Sequence, residues 1–163
     1  RLAKEIGAKL ILDTSGEPLR LAANEGVYLL KPNLGELSKM IGVESLAIDD
    51  VDEAAQEIIA KGNCEVVVVS LGPNGALLVT KDSYEHIPAP HVHKRSTVGA
   101  GDSMVAGMTW SLERGKSLRE MVRMGVACGS AATMNPGTEL FRVEDVNRLH
   151  EWIVNYGTRY AGV

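Results

Sequence analysis

Aromatic side chains are scarce: one Phe, two Trp and four Tyr in 163 residues. Single-stranded nucleic-acid binding needs aromatic stacking platforms, so this shortage argues against it. A basic excess is also missing. The formal net charge of −4 lacks the footprint of a nucleic-acid or anionic-membrane binder. No apolar run approaches the roughly 20 residues of a membrane-spanning helix. Neither a nucleic acid nor a membrane is therefore expected as a partner. Cys64 and Cys128 form no C-x-x-C pair and no Cys/His cluster of zinc spacing. They read as reduced, half-buried side chains of a cytoplasmic protein, with a bond between them left open. A secretory leader and an initiating Met are lacking too. Arg1–Ala8 reads as the last two turns of a helix already under way, with Leu2, Ala3 and Ile6 on one face and Gly7 ending it. The expectation is the C-terminal part of something longer.

What is present suffices for a sizeable core: 45% hydrophobic and 23% charged residues. Lys9–Asp13 reads as a buried parallel strand, and a short helix is expected around Leu19–Ala23. Val27–Leu30 is a second strand, and Asn33 opens a helix to about Ile41. Asp49 or Asp50 caps a helix over Val51–Lys61 that Gly62 closes. The four valines of Glu65–Ser70 indicate burial on both faces. After the Leu71–Gly75 turn, Ala76–Thr80 returns antiparallel, and Tyr84–Pro88 forms an edge. Helices follow from the Thr97–Asp102 segment to about Arg114, from Ser117 to about Met134, and over Val143–Tyr156. The pattern predicts an α/β fold, a mostly parallel sheet flanked by helices, in one unit without linker or repeat. Ligands of such sheets sit at the carboxyl ends of the strands. Asp13, Lys31, Ser70 and the 97–102 loop are all expected there.

Ser96-Thr97-Val98-Gly99-Ala100-Gly101-Asp102-Ser103 is the key segment. Small residues before a helix let a ligand approach the backbone, and the amides of Gly99 to Asp102 would face it with the helix dipole. Asp102 would then stand beside a bound anion as a general base, which is the layout of a phosphotransfer site. The plainer reading is a glycine turn with Asp102 as a dipole-stabilising charge. No P-loop is present, and Met104 spoils a Rossmann fingerprint. Gly107, inside the next helix, implies close packing against another element.

Lys31-Pro32-Asn33-Leu34-Gly35-Glu36 has capping-box spacing. Its functional reading places Asn33 and Glu36 near a hydrated Mg²⁺ and Lys31 near phosphate. Ser70-Leu71-Gly72-Pro73-Asn74-Gly75 is a hairpin turn or a nucleotide-contacting edge. Asp13 is a phosphate-side or metal-side carboxylate or a strand-end cap. His86, His91 and His93 read as solvated or edge residues, Trp110 and Trp152 as core or interface, and Asp49–Glu53 as a solvated helix start.

S-T-V-G-A-G-D-S-M-V-A-G at 96–107 resembles the second signature of the ribokinase-like (PfkB) sugar kinase family. L-K-P-N-L-G-E at 30–36 is similar to another motif of that family. V-V-V-S-L-G-P-N-G-A-L at 67–77 and C-G-S-A-A-T-M-N-P-G-T at 128–138 resemble its 6-phosphofructokinase branch, of the minor bacterial isozyme type; 1-phosphofructokinases and tagatose-6-phosphate kinases share much of this. The resemblance implies Asp102 as the base, with Gly99, Ala100 and Gly101 as the anion hole. It implies Asn33 and Glu36 at Mg²⁺ and Lys31 at ATP phosphate. Ser70, Gly72, Gly75, Val126 and Ser130 would line the nucleotide. Ser96, Val98, Ala132, Asn135 and Gly137 match the positions of a monovalent cation site, K⁺ in kind, although Glu139 stands where that pattern usually has Arg.

The family's chains are about twice this length (compare), so residues 1–163 are expected to be the C-terminal, ATP-side half. The sugar-binding and lid half would lie outside it, leaving an exposed sheet edge, with a homodimer implied for the full-length protein. The expected activity is ATP-dependent phosphotransfer to a primary hydroxyl of a sugar phosphate, fructose 6-phosphate first. Fructose 1-phosphate, tagatose 6-phosphate, ribose or a nucleoside are alternative acceptors. A non-catalytic nucleotide-binding module and, more distantly, a Rossmann oxidoreductase are the rivals.

Overall fold

Three short apolar runs pair side by side because each offers a β-branched or leucine-rich surface to bury. In this computed structural model, which describes residues 2–156, they are β1 (Ile11–Leu12), β2 (Val27–Leu30) and β3 (Cys64–Ser70). β1 pairs parallel to β2, and β2 parallel to β3, with Leu29 opposite Val66 and Leu30 opposite Val67. β4 (Ala76–Val79) and β5 (Tyr84–Ile87) complete the order β1-β2-β3-β4-β5. Only five residues join β3 to β4, too few for a parallel crossover, so the sheet is mixed. β1 is shorter than expected and only half-buried, because an edge strand has one neighbour.

The contacts divide the chain into two compact units, Arg1–Leu71 with Leu77–Glu85, and Gly72–Ala76 with His86–Val163. The boundary cuts through β4 and β5, where no linker composition marks it.

In the first unit, α2 (Gly16–Asn24), α3 (Leu34–Ile41) and α4 (Val51–Ala60) cover the strands. Leu19, Leu30, Leu37, Val51, Ala55, Ile58, Val67 and Val69 form one core cluster. Each fully buried Leu, Ile or Val there contributes roughly 1.5–3 kcal/mol against leaving it exposed. Asp50 holds the N-cap place of α4, yet its side chain makes no capping bond. α1 (Leu2–Glu5) is shorter than expected, and Leu2 and Ile6 are exposed.

In the second unit, α6 (Leu118–Thr133) packs against both α5 (Ala100–Glu113) and α7 (Val143–Tyr156). A Cβ on Gly107 would meet Cys128 Sγ at 2.8 Å, and one on Gly125 would meet Met108 Cγ at 2.6 Å. These glycines let α5 and α6 approach closely, as the sequence implied for Gly107. Ser117 caps α6 by accepting the Glu120 amide at 3.3 Å. Glu120 accepts from Arg123 and meets His150 Nε2 at 3.1 Å, tying α6 to α7. Of the core and interface alternatives for Trp110, the core one is excluded: it is 47% exposed, with the Arg114 guanidinium 4.2 Å over its ring. Cys64 and Cys128 are free, and buried more fully than expected. Burial pushes the Cys64 thiol up to about 12 and the Cys128 thiol up to about 11, so both stay protonated. Among the described residues no helix is long and apolar enough to cross a membrane.

Candidate active site

Parallel strands deliver their carboxyl ends to one edge, and in the first unit that edge collects polar residues. Asp13 follows β1, Lys31 follows β2, and Ser70 closes β3. Lys31 is only 6% exposed, and its Nζ lies 3.2 Å from Asp13 Oδ2. Asp13 is therefore the counter-charge that lets a lysine be buried at the end of β2. The Ser70 amide donates to Pro32 O at 2.9 Å, and Asn33 bridges to Ser70. These contacts bring the Lys31–Glu36 segment beside the end of β3.

Asn33 and Glu36 realise the capping box in full. Asn33 Oδ1 accepts from the Glu36 amide at 2.9 Å, and Glu36 Oε2 accepts from the Asn33 amide at 2.9 Å. The plain reading of this motif is thus present in the structure. It does not consume the motif, because Glu36 Oε1 is left over. Among the described residues, no group of three or more His, Cys, Asp or Glu is arranged to hold a metal ion. This donor set does fit Mg²⁺, which keeps most of its waters and takes one or two carboxylate oxygens beside substrate phosphates.

The remaining positions belong to the second unit. Gly72 (φ 59°) opens a one-turn 3₁₀ segment, Gly72–Asn74, and nothing stands within 4 Å of a Cβ built there. Gly75 differs: at φ 93°, its Cβ would lie 2.0 Å from Ile87 O and 2.7 Å from Ala89 N. That glycine is required by backbone packing. Val126 is buried in α6, and Ser130 is half-buried with its carbonyl accepting from Thr133 Oγ1. His86 Nε2 pairs with Asn74 O at 2.7 Å, which accounts for one of the three edge histidines.

The glycine bend comes next. Gly99 is the N-cap of α5 at φ 74°, a left-handed conformation that favours glycine, and its Cβ would meet Leu140 Cδ2 at 2.8 Å. The Ala100 amide donates to Thr97 O at 3.3 Å, so it is not one of the open amides expected. Gly101 and Asp102 follow in the first helical turn, where amides have no intrahelical acceptor. Asp102 is exposed at this end.

Below the bend, the irregular 95–98 segment is stitched to the end of α6. The amides of Arg95 and Ser96 donate to Thr133 O at 2.8 and 3.2 Å. Ser96 Oγ donates to Gly137 O at 2.8 Å and accepts from the Val98 amide at 3.2 Å. Asn135, 7% exposed, donates through Nδ2 to Leu140 O at 2.6 Å, and its amide donates to Ala132 O at 3.3 Å. The structure thus joins Ser96, Val98 and Gly137 in one set of bonds, and Asn135 and Ala132 in another. Their oxygens are carbonyls and a hydroxyl, a donor set that suits a hard cation such as K⁺. Thr133 and Leu140 were not anticipated: no local pattern marks a carbonyl acceptor, or a leucine covering a glycine about 40 residues away.

The model of the pfkB family carbohydrate kinases matches residues 1–144. The chain belongs to the pfkB family of carbohydrate kinases. This pfkB chain is 47% identical over 152 residues to the ATP-dependent 6-phosphofructokinase isozyme 2 of Escherichia coli (strain K12), covering 93% of this chain and 49% of that protein. It is 38% identical over 161 residues to the 1-phosphofructokinase of Haloferax volcanii, covering 98% and 52%. A crystal structure of Escherichia coli phosphofructokinase-2 in complex with potassium superposes with a TM-score of 0.90 at 47% identity, covering 94% of this chain and 50% of that one. The chain spans about half the length of the curated relatives it matches.

Proposed function

We propose that the full-length protein transfers the γ-phosphoryl group of ATP to a primary hydroxyl of a sugar phosphate, fructose 6-phosphate above all. Residues 1–163 would be its C-terminal, nucleotide-side half. The observation that carries this reading is the left-handed Gly99 bend, with an exposed Asp102 in the first turn of the helix that follows. The Gly101 and Asp102 amides donate to a phosphoryl oxygen as charge develops there, and the α5 dipole adds to them. Asp102 takes the hydroxyl proton while the new O–P bond forms and the bond to the bridging oxygen of ADP breaks. ADP departs, and the proton stays on the carboxylate until solvent removes it.

Lys31 and the nucleotide-side positions Ser70, Gly72, Gly75, Val126 and Ser130 hold ATP in this reading. Lys31 stays neutralised by Asp13 until phosphate competes for it. Glu36, with Asn33, would hold Mg²⁺, which when bound supplies charge neutralisation to the phosphates. The Ser96–Gly137 network would hold K⁺, as a solved relative does by its description. A homodimer is proposed for the full-length protein. The preference for fructose 6-phosphate rests on the higher identity to a 6-phosphofructokinase than to a 1-phosphofructokinase.

The test is ADP release by the full-length protein with a panel of sugars and sugar phosphates. Fructose 6-phosphate should give the highest kcat/KM. Asp102→Asn should lower kcat by about 10²–10⁴ while ATP binding persists. Turnover near the wild-type rate in that variant removes Asp102 from the reaction. ATP binding without turnover of any sugar would leave a nucleotide-binding module.

A further inference from the structure

Among the described residues, one buried side-chain polar atom has no hydrogen-bond partner: Oγ of Ser103, a residue 2% exposed. Buried hydroxyls are nearly always paired, so an orphan needs a physical reason. Ser103 stands immediately after Asp102 at the start of α5. Along its own i, i+4 row its neighbours are Gly99 on one side and Gly107 on the other. Neither glycine has a side chain to offer. At Gly107 the helix is closed off by Cys128 Sγ and the Met124 backbone of α6.

Helical side chains tilt toward the N-terminus, so Ser103 is carried toward the glycine bend. The usual local acceptor for a helical serine is the carbonyl four residues earlier. Here that is Gly99 O, which already accepts the Ser103 amide at 2.9 Å and has a second lone pair free for another donor.

We propose that Ser103 is a positioning residue of the glycine bend, whose unpaired hydroxyl donates to Gly99 O when the Gly101 and Asp102 amides take a phosphoryl oxygen. This deepens the kinase reading and rests on it for the identity of the anion. Gly99 is the hinge of the change, since its left-handed backbone has no side chain to resist a small rotation. Donation to Gly99 O would satisfy the unpaired hydroxyl. Pairing Ser103 with Gly99 holds Asp102, its sequence neighbour, against the acceptor hydroxyl.

The experiment compares wild type, Ser103→Ala and Ser111→Ala in the full-length protein. Ser111 lies two turns further along the same row and is 1% exposed, so it controls for loss of a buried hydroxyl. Ser103→Ala should raise the Tm of the free protein by about 2–4 °C. It should shrink the Tm gain on adding Mg²⁺ with β,γ-imido-ATP. It should lower kcat about 10-fold with KM for ATP changed by less than about twofold. Ser111→Ala should leave kcat unchanged. A wild-type kcat and a full imido-ATP shift in Ser103→Ala overturn the proposal. A lowered Tm of free Ser103→Ala overturns it as well, because it shows the hydroxyl already satisfied. If the wild type turns over no sugar phosphate, the kinase reading fails, while the imido-ATP shift still reports on Ser103.

Discussion

The Lys31–Glu36 segment and the Ser96–Asp102 segment carry equally polar sequences, but they use their polar groups in opposite ways. In the first, the groups satisfy one another: Lys31 pairs with Asp13, and Asn33 with Glu36. In the second, Ser96 is tied to Thr133 and Gly137, and the Ala100 amide to Thr97. The Gly101 and Asp102 amides and the exposed Asp102 are left for a ligand, and the Ser103 hydroxyl is unpaired. A segment closed on itself contributes mainly to stability. A segment braced from below and open above is built to meet a ligand. Substitutions should therefore separate the two by which property they damage.

The largest effect is expected outside both segments, as a reference for pure packing. Gly75→Ala drives a Cβ into the Ile87 carbonyl, a backbone atom that cannot swing away. Urea unfolding should show a loss of roughly 3 kcal/mol or more. Asp13→Asn comes next, because it strands the buried Lys31 ammonium. A loss of about 2 kcal/mol is expected, below the range for a fully buried pair since Asp13 keeps some solvent contact. A neutral result would mean that Lys31 has another route to water.

Gly99→Ala should cost about 1–2 kcal/mol through its left-handed backbone. Leu140 Cδ2 is the end of a flexible side chain and can yield. Its effect on turnover in the full-length protein should exceed its effect on stability, which sets it apart from Gly75→Ala. Asn33→Ala removes one arm of the capping box and should cost about 1 kcal/mol. If kcat also drops more than about 10-fold at saturating Mg²⁺, the segment is more than a cap, and the contrast drawn here narrows.

The smallest effect concerns pH. Burial alone would raise the Glu120 carboxyl, but hydrogen bonding from Arg123 and the nearby His150 outweigh it, and the pKa is lowered from its ordinary 4.5. A lowered folded-state pKa means this stability is fully present above about pH 4.5 and is lost as pH falls through the lowered value. Glu120→Gln should flatten the acid side of a Tm-against-pH curve. An unchanged acid limb would show that other carboxylates govern it.

The same contrast shows what could be read without coordinates. Val27–Leu30 and the Asn33-to-Ile41 helix were legible because alternation, capping spacing and a closing glycine are local signals. Gly107 was legible as a close-packing site because a glycine inside a helix is costly without one. Trp110 was legible only as core or interface; it lies at the surface, with Arg114, one helical turn on, over its ring. Helical spacing placed Leu2 and Ile6 on one face but did not show what lies against it, and both are exposed. The division into two units was also illegible, because its boundary cuts through β4 and β5, where no linker composition marks it.

Residue order alone determined most strands and helices and the Asn33 and Ser117 caps, because each depends on neighbours within about one turn or one hairpin. It also placed a glycine bend and a carboxylate at the head of α5. Tertiary packing alone decided that Leu140 covers Gly99, that Thr133 holds Arg95 and Ser96, and that Ser103 has no partner. Those outcomes depend on which distant segments come into contact, and hydrogen-bond satisfaction is a property of the assembled surroundings rather than of any stretch of chain.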